Sequence, residues 1–513
     1  MLTLTLLIPI AGILFVFLAG RVHATGARVA ALITSVLSVN AAYLLAAQTR
    51  LSVIDVDKAW IPSFGVHFAL RADWIAALFV LLTAILTVFA VAVSWKEVKQ
   101  RVTSFHVWLL VLQVGVTLVF LSRDLMLFYL GWELMLIPML FIIGAWGTGR
   151  KEYSAFKFVL FTFTGSIFML AAFLYIYYQH YTQHGVLTFH FDQLANTALS
   201  ATQKWWLFLG LLVGFAVKVP LVPLHTWLID AYPNSPNAGS LLLSGILSKT
   251  GIYGLFRIAE GFGQEVFLDF RPLLIILAII GIFYGGWIAY HQSDIKRLIA
   301  YSSLSHVNFI LLGIFISSDL GFKGGILQMV THGLATAALF LIAGSVQNRI
   351  GSREFANLGG LWKQAPILGA FLLFFAFASL GLPGTGNFVG ELYIIGAALE
   401  YHWIAGGLAS LAVLLAAIYS LRLFTGIMHG PQPATVTEFP DADRRETLLL
   451  STLAACLIVL GFFPGLITAP LPTKGPLPEP IVMTEDNISN PPLLLTMTNS
   501  QPSGFTTQKG DLR

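Results

Sequence analysis

Long runs of apolar residues fill most of this chain, and short segments with polar or charged residues separate them. A helix of about 20 apolar residues crosses the hydrocarbon core of a bilayer. The pattern therefore predicts an all-α polytopic membrane protein with about 14 transmembrane helices. The expected spans are residues 2–20, 28–47, 73–95, 106–121, 124–146, 154–178, 205–229, 238–258, 272–290, 297–317, 323–347, 365–400, 403–427 and 447–469.

Two of the predicted helices are interrupted. The seventh contains Pro220 and Pro223, and the twelfth contains the sequence GLPGTGN at residues 381–387. Proline removes a backbone donor and glycine tolerates unwound backbone, so we predict broken helices 7 and 12. Breaks at corresponding places in two hydrophobic halves are typical of transporters with inverted repeats. The simplest division is two inverted five-helix repeats, although two breaks in so many spans can also coincide by chance.

The predicted domains follow from this division. Residues 1–104 hold helices 1 to 3, residues 105–260 hold the first repeat with helices 4 to 8, and residues 261–427 hold the second repeat with helices 9 to 13. Residues 428–470 contain helix 14. The Pro-rich residues 471–513 are expected to form a poorly ordered tail.

Composition narrows the class of protein. Of the 513 residues, 57% are hydrophobic and 11% are charged, which agrees with a membrane protein. The single cysteine, Cys456, excludes disulfides, Cys-ligated zinc and protein-bound iron–sulfur clusters, so redox chemistry is expected in other chains. The net charge of +4 is scattered over short loops, and nucleic-acid binding is not expected.

Loop charges predict the orientation in the membrane. Loops that follow odd-numbered helices carry about twice as many Lys and Arg residues as the other loops. By the positive-inside rule these loops are cytoplasmic, which places both termini on the non-cytoplasmic side. The first apolar run lacks a basic region before it and a small-residue cleavage site, so we interpret it as a retained helix.

Six ionisable side chains lie deep inside predicted spans. A charge at the bilayer centre costs about 2.5 to 3.5 kcal/mol even on insertion scales, so such residues are expected to have partners and a function. Two further residues, His225 and Asp230, lie just past the break of helix 7. The six deep residues are Glu133, Lys218, Lys249, His306, His332 and Glu391.

Each of these residues also has a structural interpretation. Glu133 has no cation within helical reach on its own helix, so Lys218 is its candidate partner. Lys218 could instead satisfy carbonyls freed by Pro220. Lys249 could extend to an interface, but its central position argues against this. Glu133 could be a carboxylate near a helix end, and Glu391 an acid near the exposed end of a half-helix.

The histidines leave similar alternatives. A single histidine in a helix is more often structural than part of a relay, but His306 and His332 lie on neighbouring spans between Lys249 and the next acid. His225 and Asp230 form either a solvent inlet or an ordinary helix terminus. Taken together, the alternating acids, bases and histidines fit proton transfer best.

Other chemistry has little support in the sequence. Three histidines of a predicted external loop have no second ligand cluster, so metal binding fits poorly. Phosphate-binding loops and nucleophile motifs are absent from the sequence. The three loop histidines are His180, His184 and His190.

Several long stretches have a distinctive order of residues. They are SRDLMLFYLGWELMLIPMLFIIGAWG, VKVPLVPLHTWLIDA, LSGILSKTGIYGLFR, SDIKRLIAYSSLSHVNF, LQMVTHGLATAALF and ASLGLPGTGNFVGE. These stretches resemble the antiporter-like subunits of respiratory complex I, the NADH-quinone oxidoreductase, most closely their bacterial M-type branch. The resemblance covers about residues 70 to 430. The chain departs from the family's usual HTWLPDAH, because Ile229 and Tyr232 replace the proline and the second histidine.

The resemblance implies a fold and a role. The fold is fourteen helices with two inverted five-helix repeats, and the role is that of a proton-translocating membrane-arm subunit in a bacterial inner membrane. Glu133 would pair with Lys218 of the broken helix, and Lys249 would be the central lysine of helix 8. M-type subunits have glutamate as the terminal acid where L- and N-type relatives have lysine, which matches Glu391. His306 and His332 would be the connecting histidines.

The resemblance also implies cofactors and partners. The chain would belong to an enzyme, NADH:quinone oxidoreductase, without a redox centre of its own. FMN, iron–sulfur clusters and quinone would lie in partner subunits, and L-type and N-type chains, the lipid bilayer and protons would be its partners. The alternatives are a D-type subunit of a multisubunit sodium/proton antiporter, a membrane subunit of a related hydrogenase or quinone-linked complex, and an inactive scaffold.

Overall fold

Helices make up most of residues 1–262, 264–433 and 438–473, which the computed structural model describes. All of these residues belong to the unit Met1–Gly475, and the tail expected to be poorly ordered lies outside them from residue 474 onward. The helices are α1 (Leu4–Val22), α2 (Ala24–Thr49), α3 (Trp74–Glu97), α4 (Val102–Leu121), α5 (Leu125–Leu134), α6 (Leu136–Trp146), α7 (Lys151–His184), α8 (Phe191–Leu194), α9 (Ala201–Lys218), α10 (Leu228–Asn234), α11 (Asn237–Leu242), α12 (Ser248–Phe262), α13 (Gln264–Tyr290), α14 (Ile295–Ile316), α15 (Asp319–Ile350), α16 (Pro366–Ser379), α17 (Gly386–Tyr401), α18 (Trp403–Met428), α19 (Arg444–Phe462) and α20 (Gly465–Thr468).

Eleven helical segments in the described part of the chain are long and apolar enough to cross a membrane, judged by length and composition. Fourteen spans were expected. The difference falls on the seventh, eighth and twelfth spans, because each of them is divided into shorter helices. The structure therefore has a multi-span helical architecture, and the count of fourteen remains a prediction.

Both predicted breaks are present. Helix α9 ends at Lys218, and turns lead from there to α10, which begins at Leu228. The indole nitrogen of Trp227 donates to the carbonyl of Val217 at 2.8 Å. A side chain from beyond the break thus provides a hydrogen bond to a carbonyl in the last turn of α9. The second break separates α16 from α17.

A third interruption was not predicted. The π-helical segment Leu243–Leu247 joins α11 to α12 inside the expected eighth span. A π-turn widens the hydrogen-bonding pattern by one residue and often occurs at functional sites. The hydroxyl of Tyr232, on α10, donates to the carbonyl of Leu243 at 3.0 Å and so contacts the first residue of this segment.

The expectation of an all-α fold was wrong for the segment between α2 and α3. Residues there form an antiparallel hairpin of β1 (Ile54–Ile61) and β2 (Val66–Ala72), paired from Ile54 with Ala72 to Ile61 with Val66. The turn ends at Gly65, which has a φ of 65° and lies so close to the carbonyl of Leu187 that a side chain would not fit. Hydropathy analysis overlooks this hairpin because it is short and mostly exposed.

We call the side of the helix bundle that carries this hairpin the hairpin face. Aspartates cap the N-termini of two helices on this face. Asp124 caps α5 by accepting from the amides of Met126 and Leu127, and it also accepts from the amide of His67 on β2. Asp73 caps α3 through the amide of Ala76. These contacts attach the hairpin to the helix bundle.

Helices α14 and α15 form the centre of the bundle. In each, every residue of the most apolar 18-residue window is buried. Helix α13 packs along α14, and α17 packs along α15. Any polar side chain on α14 or α15 therefore needs its partners from neighbouring helices, and His306 and His332 lie on these two helices.

The ion pair of Asp73 with Arg257 gives a prediction for stability. Burial acts to raise the pKa of the Asp73 carboxyl, but the charge and hydrogen bond of Arg257, together with the amide of Ala76, lower it overall. Such a carboxyl stabilises the fold above its unfolded pKa of about 3.9, and this contribution is lost as the pH falls through the folded value. Asp73→Ala should reduce stability at pH 7 by about 1 to 2 kcal/mol, and the difference from the parent protein should narrow below about pH 4.

Thermal unfolding of the purified protein in detergent at pH 7 and pH 3 measures this effect. Asp55→Ala is the matched control, because Asp55 pairs with Arg71 at 2.5 Å on the exposed hairpin and such pairs contribute about 0 to 1 kcal/mol. Equal losses for the two variants at pH 7 would contradict the prediction.

Candidate functional site

Lys249 lies at the centre of the site. It is 0% exposed and is the second residue of α12, the helix that directly follows the π-helical segment. Its ammonium group donates to the carbonyl of Ser244 and lies 2.9 Å from Nδ1 of His332. The interruption of the helix thus coincides with a carbonyl that holds the buried lysine, and α15 provides the second partner.

The two histidines and the acid continue from Lys249. The ring centroids of His332 and His306 are 5.6 Å apart, and Nδ1 of His306 lies 3.8 Å from Oε1 of Glu391. All of these side chains are buried. The structure therefore brings four predicted residues together in one group, which we call the central cluster: Lys249, His332, His306 and Glu391.

Glu391 is fixed by the second helix break. The amide nitrogen of Gln328 donates to its Oε1 at 3.1 Å. Gly381, in the break, has a φ of 90°, and a Cβ at this position would overlap Oε2 of Glu391. The absence of a side chain at Gly381 therefore makes room for the carboxylate.

Lys218 has a different environment. It is 1% exposed, and its ammonium group has no hydrogen-bond partner among the described residues. It lies 5.1 Å from the ring centroid of Trp132 and 5.7 Å from that of Phe158, within the range of cation–π contacts. The end of α9 thus places a cation between aromatic faces.

The expected pair of Lys218 and Glu133 is not in direct contact. No hydrogen bond joins them among the described residues, although Lys218 lies over the ring of Trp132, the residue next to Glu133, and their charges are near enough to interact. Glu133 is half-buried beside the hydroxyls of Ser166 and Tyr129, and its Oε1 has no hydrogen-bond partner in the described part of the protein. The two charges are therefore close and separately held.

Lys218 and Lys249 are also not joined by a hydrogen bond in the part of the chain that the structure describes. Helix α12 nevertheless packs against the stem of Lys218, because a Cβ on Gly251 would lie 3.2 Å from Cβ of Lys218. The two lysines thus lie on directly packed segments.

The remaining two predicted residues lie outside the central cluster. The ring of His225 is buried against Tyr284 at a centroid distance of 4.9 Å, and both ring nitrogens lack hydrogen-bond partners among the described residues. Asp230 pairs with Lys157 at 2.7 Å and with Arg297 at 4.0 Å. The sequence analysis did not identify Lys157.

Three polar residues that contact the central cluster were also missed. The hydroxyl of Tyr419 lies 2.8 Å from Nε2 of His306, and that of Ser379 lies 3.2 Å from the same nitrogen. Gln328 contacts Glu391 as described above, and it precedes His332 by one helical turn, a spacing that could have identified it. Tyr419 and Ser379 carry no comparable signal, because both residue types are common in apolar helices.

A second buried polar group lies at the opposite end of the bundle from the hairpin face. Lys296 donates to Oδ1 of Asn237 at 2.7 Å, and the amide of Asn237 donates to Glu97 at 2.8 Å. Glu97 and Asn237 also line a cavity of about 570 Å³. The ion pair of Lys96 with Asp443, at 2.7 Å, lies on the wall of this cavity.

The histidines expected in an external loop are placed differently. His180 and His184 lie in the last turns of α7, which extends to residue 184, so the loop expectation was wrong for them. Nδ1 of His180 contacts the hydroxyl of Thr197 at 2.9 Å. Across the described ranges, no group of three or more His, Cys, Asp or Glu side chains is arranged to hold a metal ion.

Most of this chain is similar in sequence to known membrane proteins. A family profile described as "NADH:quinone oxidoreductase/Mrp antiporter, TM" matches residues 122–417. The chain is 40% identical to NADH-quinone oxidoreductase subunit M of Escherichia coli (strain K12) over 417 residues, which cover 80% of this chain and 82% of the relative. It is 42% identical to the subunit of the same name from Pseudomonas aeruginosa over 411 residues, which cover 79% and 81%.

Solved structures have the same fold. A chain of respiratory complex I from Thermus thermophilus with bound NADH aligns with a TM-score of 0.82 and 29% identity, over 92% of this chain and 97% of that one. A chain of the Mrp complex from Dietzia sp. DQ12-45-1b aligns with a TM-score of 0.78 and 22% identity, over 91% and 95%. The second similarity shows the fold alone.

The two buried lysines outside the central cluster give opposite predictions for stability. Lys218 is an unpaired buried cation, so Lys218→Met should leave thermal stability unchanged or raise it. Lys296 satisfies Asn237 and faces the charge of Glu97. Lys296→Met should therefore reduce stability by about 1 to 3 kcal/mol, because it leaves buried polar groups without a partner.

Thermal unfolding of the two purified variants in the same detergent makes the comparison. Both positions are 1% exposed, so the variants are matched in burial. A loss in the Lys218 variant as large as that in the Lys296 variant would show that Lys218 has a structural role.

Proposed function

The chain belongs to the NADH:quinone oxidoreductase/Mrp antiporter family, and we propose that it is the M-type membrane-arm subunit of an NADH-quinone oxidoreductase that carries protons across the membrane. The observation that supports this most directly is the central cluster. Lys249, His332, His306 and Glu391 follow one another inside the bundle, and each can bind or release a proton.

Proton transfer along the central cluster begins at Lys249. Its ammonium group is within hydrogen-bond distance of Nδ1 of His332, so a proton can pass directly between them. The distance between the two imidazole rings can be spanned by a bridging water or by rotation of a ring. From His306 the proton passes to Glu391, beside the break between α16 and α17.

Glu133 and Lys218 control this transfer through their charges. The pair is separated by a short distance, so a change in the field near Glu133 can draw Lys218 towards it or release it. Moving Lys218 changes the potential at α12, on which Lys249 lies. Moving one charge against 100 mV costs about 2.3 kcal/mol, a magnitude that nearby charges in a poorly solvated interior can supply.

His225 and Asp230 belong to the proposed proton inlet. His225 has two ring nitrogens free of hydrogen bonds within the described residues, and Asp230 with Lys157 and Arg297 forms a charged group near the same turn. Their position after the break of α9 supports this role. They act before the central cluster.

The finer architecture belongs to the same proposal. We infer fourteen transmembrane helices, with two inverted five-helix repeats in residues 105–260 and 261–427. The two breaks, after α9 and after α16, support this division. Both termini lie on the non-cytoplasmic side of a bacterial inner membrane, and the hairpin face lies on that side with them.

The electron-transfer chemistry takes place in other subunits. FMN, iron–sulfur clusters and quinone are bound by partner chains, and L-type and N-type chains adjoin this subunit in the membrane. The relatives named as NADH-quinone oxidoreductase subunit M support this assembly. The rival function, a D-type subunit of a sodium/proton antiporter, predicts genes for small antiporter subunits beside this one, whereas our proposal predicts genes for peripheral quinone-reductase subunits.

Loss of either controlling charge should uncouple the complex. Lys218→Ala and Glu133→Ala should reduce proton translocation at least about tenfold relative to electron transfer, because the charge that switches the relay is removed. Proton uptake and quinone reduction are measured together in membrane vesicles that contain the assembled complex. Lys323→Ala is the control, since Lys323 pairs with Asp319 at a helix end away from the cluster. Unimpaired proton translocation in both test variants would contradict the proposed proton-carrying function.

Gly381 provides a second test. Gly381→Ala places a methyl group against Glu391, so the carboxylate must leave its contact with Gln328, and proton translocation should fall about fivefold or more. Gly384→Ala is matched for backbone strain, because both glycines have a φ near 90°, but its Cβ would meet only Phe462 at 3.8 Å. Equal translocation in the two variants would argue against a role for the Glu391 position.

A further inference from the structure

Tyr232 connects α10 to the helical stretch that carries Lys249. Its side chain is 0% exposed, and its hydroxyl donates to the carbonyl of Leu243 at 3.0 Å. A carbonyl only accepts, so the direction of this hydrogen bond is fixed. The main-chain carbonyl of Tyr232 accepts in turn from the hydroxyl of Ser240 at 2.7 Å, the shortest hydrogen bond of that hydroxyl. Tyr232 therefore contacts the chain on both sides of the point where α11 ends and the π-helical segment begins.

The two carbonyls at the start of the π-helical segment each accept a hydrogen bond from a side chain. A π-turn replaces the i+4 repeat of an α-helix by i+5, so main-chain groups at its start lose their regular partners. The carbonyl of Leu243 accepts from Tyr232. The next carbonyl, that of Ser244, accepts from the ammonium group of Lys249. The hydroxyl of Ser248 is a distant donor to the same Ser244 oxygen, at 3.5 Å, so Lys249 is its principal partner.

The ring of Tyr232 is held in place by contacts that do not involve its hydroxyl. It packs edge-to-face against Trp227 at a centroid distance of 6.1 Å and against Phe340 at 5.9 Å. Neither an indole nor a phenyl ring has an acceptor atom for the hydroxyl. Packing therefore aims the hydroxyl at Leu243, and removal of the hydroxyl alone leaves the ring contacts in place.

We propose that Tyr232 is a positioning residue for proton transfer, whose hydroxyl keeps residues Leu243–Leu247 in the π-helical form and so keeps the carbonyl of Ser244 on the ammonium group of Lys249. The proposal rests on the proton-carrying function argued above. A buried carbonyl without a donor is costly. Without the Tyr232 hydroxyl, the carbonyl of Leu243 regains a partner when the turn tightens to the regular α-helical pattern. That change moves the Ser244 carbonyl away from Lys249, which is then held by His332 alone.

The inference concerns this chain in particular. Tyr232 is one of the two positions at which HTWLIDAY departs from the usual family sequence, which has histidine there. A phenol keeps its proton at neutral pH, whereas an imidazole titrates in that range. Tyr232 therefore acts through a permanent donor.

The first test compares structures of the assembled complex. Cryo-electron microscopy of the parent complex should show the Tyr232 hydroxyl on the Leu243 carbonyl and a π-turn at Leu243–Leu247. In Tyr232→Phe the segment should be α-helical, and the ammonium group of Lys249 should no longer contact the Ser244 carbonyl. A regular helix in the parent protein, or a contact of Lys249 with Ser244 that is unchanged in Tyr232→Phe, would overturn the proposal.

The second test measures coupling. Tyr232→Phe should lower the number of protons translocated per quinone reduced about fivefold, the effect expected for loss of one buried hydrogen bond. Tyr253→Phe is the matched control, because its buried hydroxyl donates to the carbonyl of Phe120 at 2.7 Å, outside the π-helical segment. Each variant loses one buried hydrogen bond to a main-chain carbonyl, so thermal stability should fall equally in both. Only Tyr232→Phe should change the translocation ratio, and equal ratios in the two variants would contradict the proposal.

The third test restores the donor without restoring the phenol. Replacement of Tyr232 with para-aminophenylalanine, whose amino group donates from the same ring position, should recover most of the translocation ratio. Replacement with para-fluorophenylalanine fills the same space without a donor and should behave like Tyr232→Phe. If these two variants translocate equally, the shape of the ring and not its donor is what matters, and the proposal is refuted.

The outcomes separate this inference from the function on which it rests. Lys249→Met measured beside these variants tests the function, because an intact translocation ratio in that variant would remove the relay whatever the form of the turn. If Lys249→Met abolishes translocation while Tyr232→Phe behaves like Tyr253→Phe, the relay stands and the role of Tyr232 is refuted.

Discussion

The cost of placing charge inside an apolar bundle determines how the central helices are arranged. Taking an ion out of water costs several kcal/mol in a protein even after relaxation, so a buried ionisable group must find partners or neutralise. Helices α14 and α15 are enclosed along their apolar windows, and partners for their histidines must come from other helices. His332 has Lys249 as its polar partner. Lys249 in turn has two partners, the carbonyl of Ser244 and the ring of His332.

An interruption of a helix accompanies each of the three buried charges that lie on divided spans. Helix α9 ends at Lys218, the π-helical segment Leu243–Leu247 precedes Lys249, and the break after α16 precedes Glu391. A regular helix uses its carbonyls and amides internally, whereas an interrupted helix leaves some of them for side chains. The same local departure from regular structure thus gives the charge both room and polar contacts, and this explains why irregular backbone and ionisable residues occur together here.

The sequence predicted well which ionisable residues lie deep inside the apolar spans, but it predicted poorly which side chains they contact. Charges in long apolar runs are conspicuous, so all four members of the central cluster and both breaks could be found from hydropathy and proline or glycine positions. The separation of Lys218 from Glu133 depends on how α5 and α9 are rotated, which no local pattern encodes. In the sequence, Tyr419 cannot be distinguished from other tyrosines of apolar helices. Hydropathy analysis did not detect the hairpin of β1 and β2, because it is short and exposed. Contacts between helices that are distant in the sequence account for the first two of these omissions, and the small size of the hairpin accounts for the third.

Lys249 and Lys218 differ in whether their neighbouring groups can accept a proton. Lys249 faces a carbonyl and an imidazole nitrogen, and the nitrogen can take a proton from it. Lys218 faces the rings of Trp132 and Phe158, which attract a cation through their π-electrons but cannot bind a proton. Within the proposed function, Lys249 therefore acts by transferring a proton and Lys218 by the position of its charge. A lysine held only by ring faces is also released without breaking a hydrogen bond, which suits a charge that must move towards Glu133 and return.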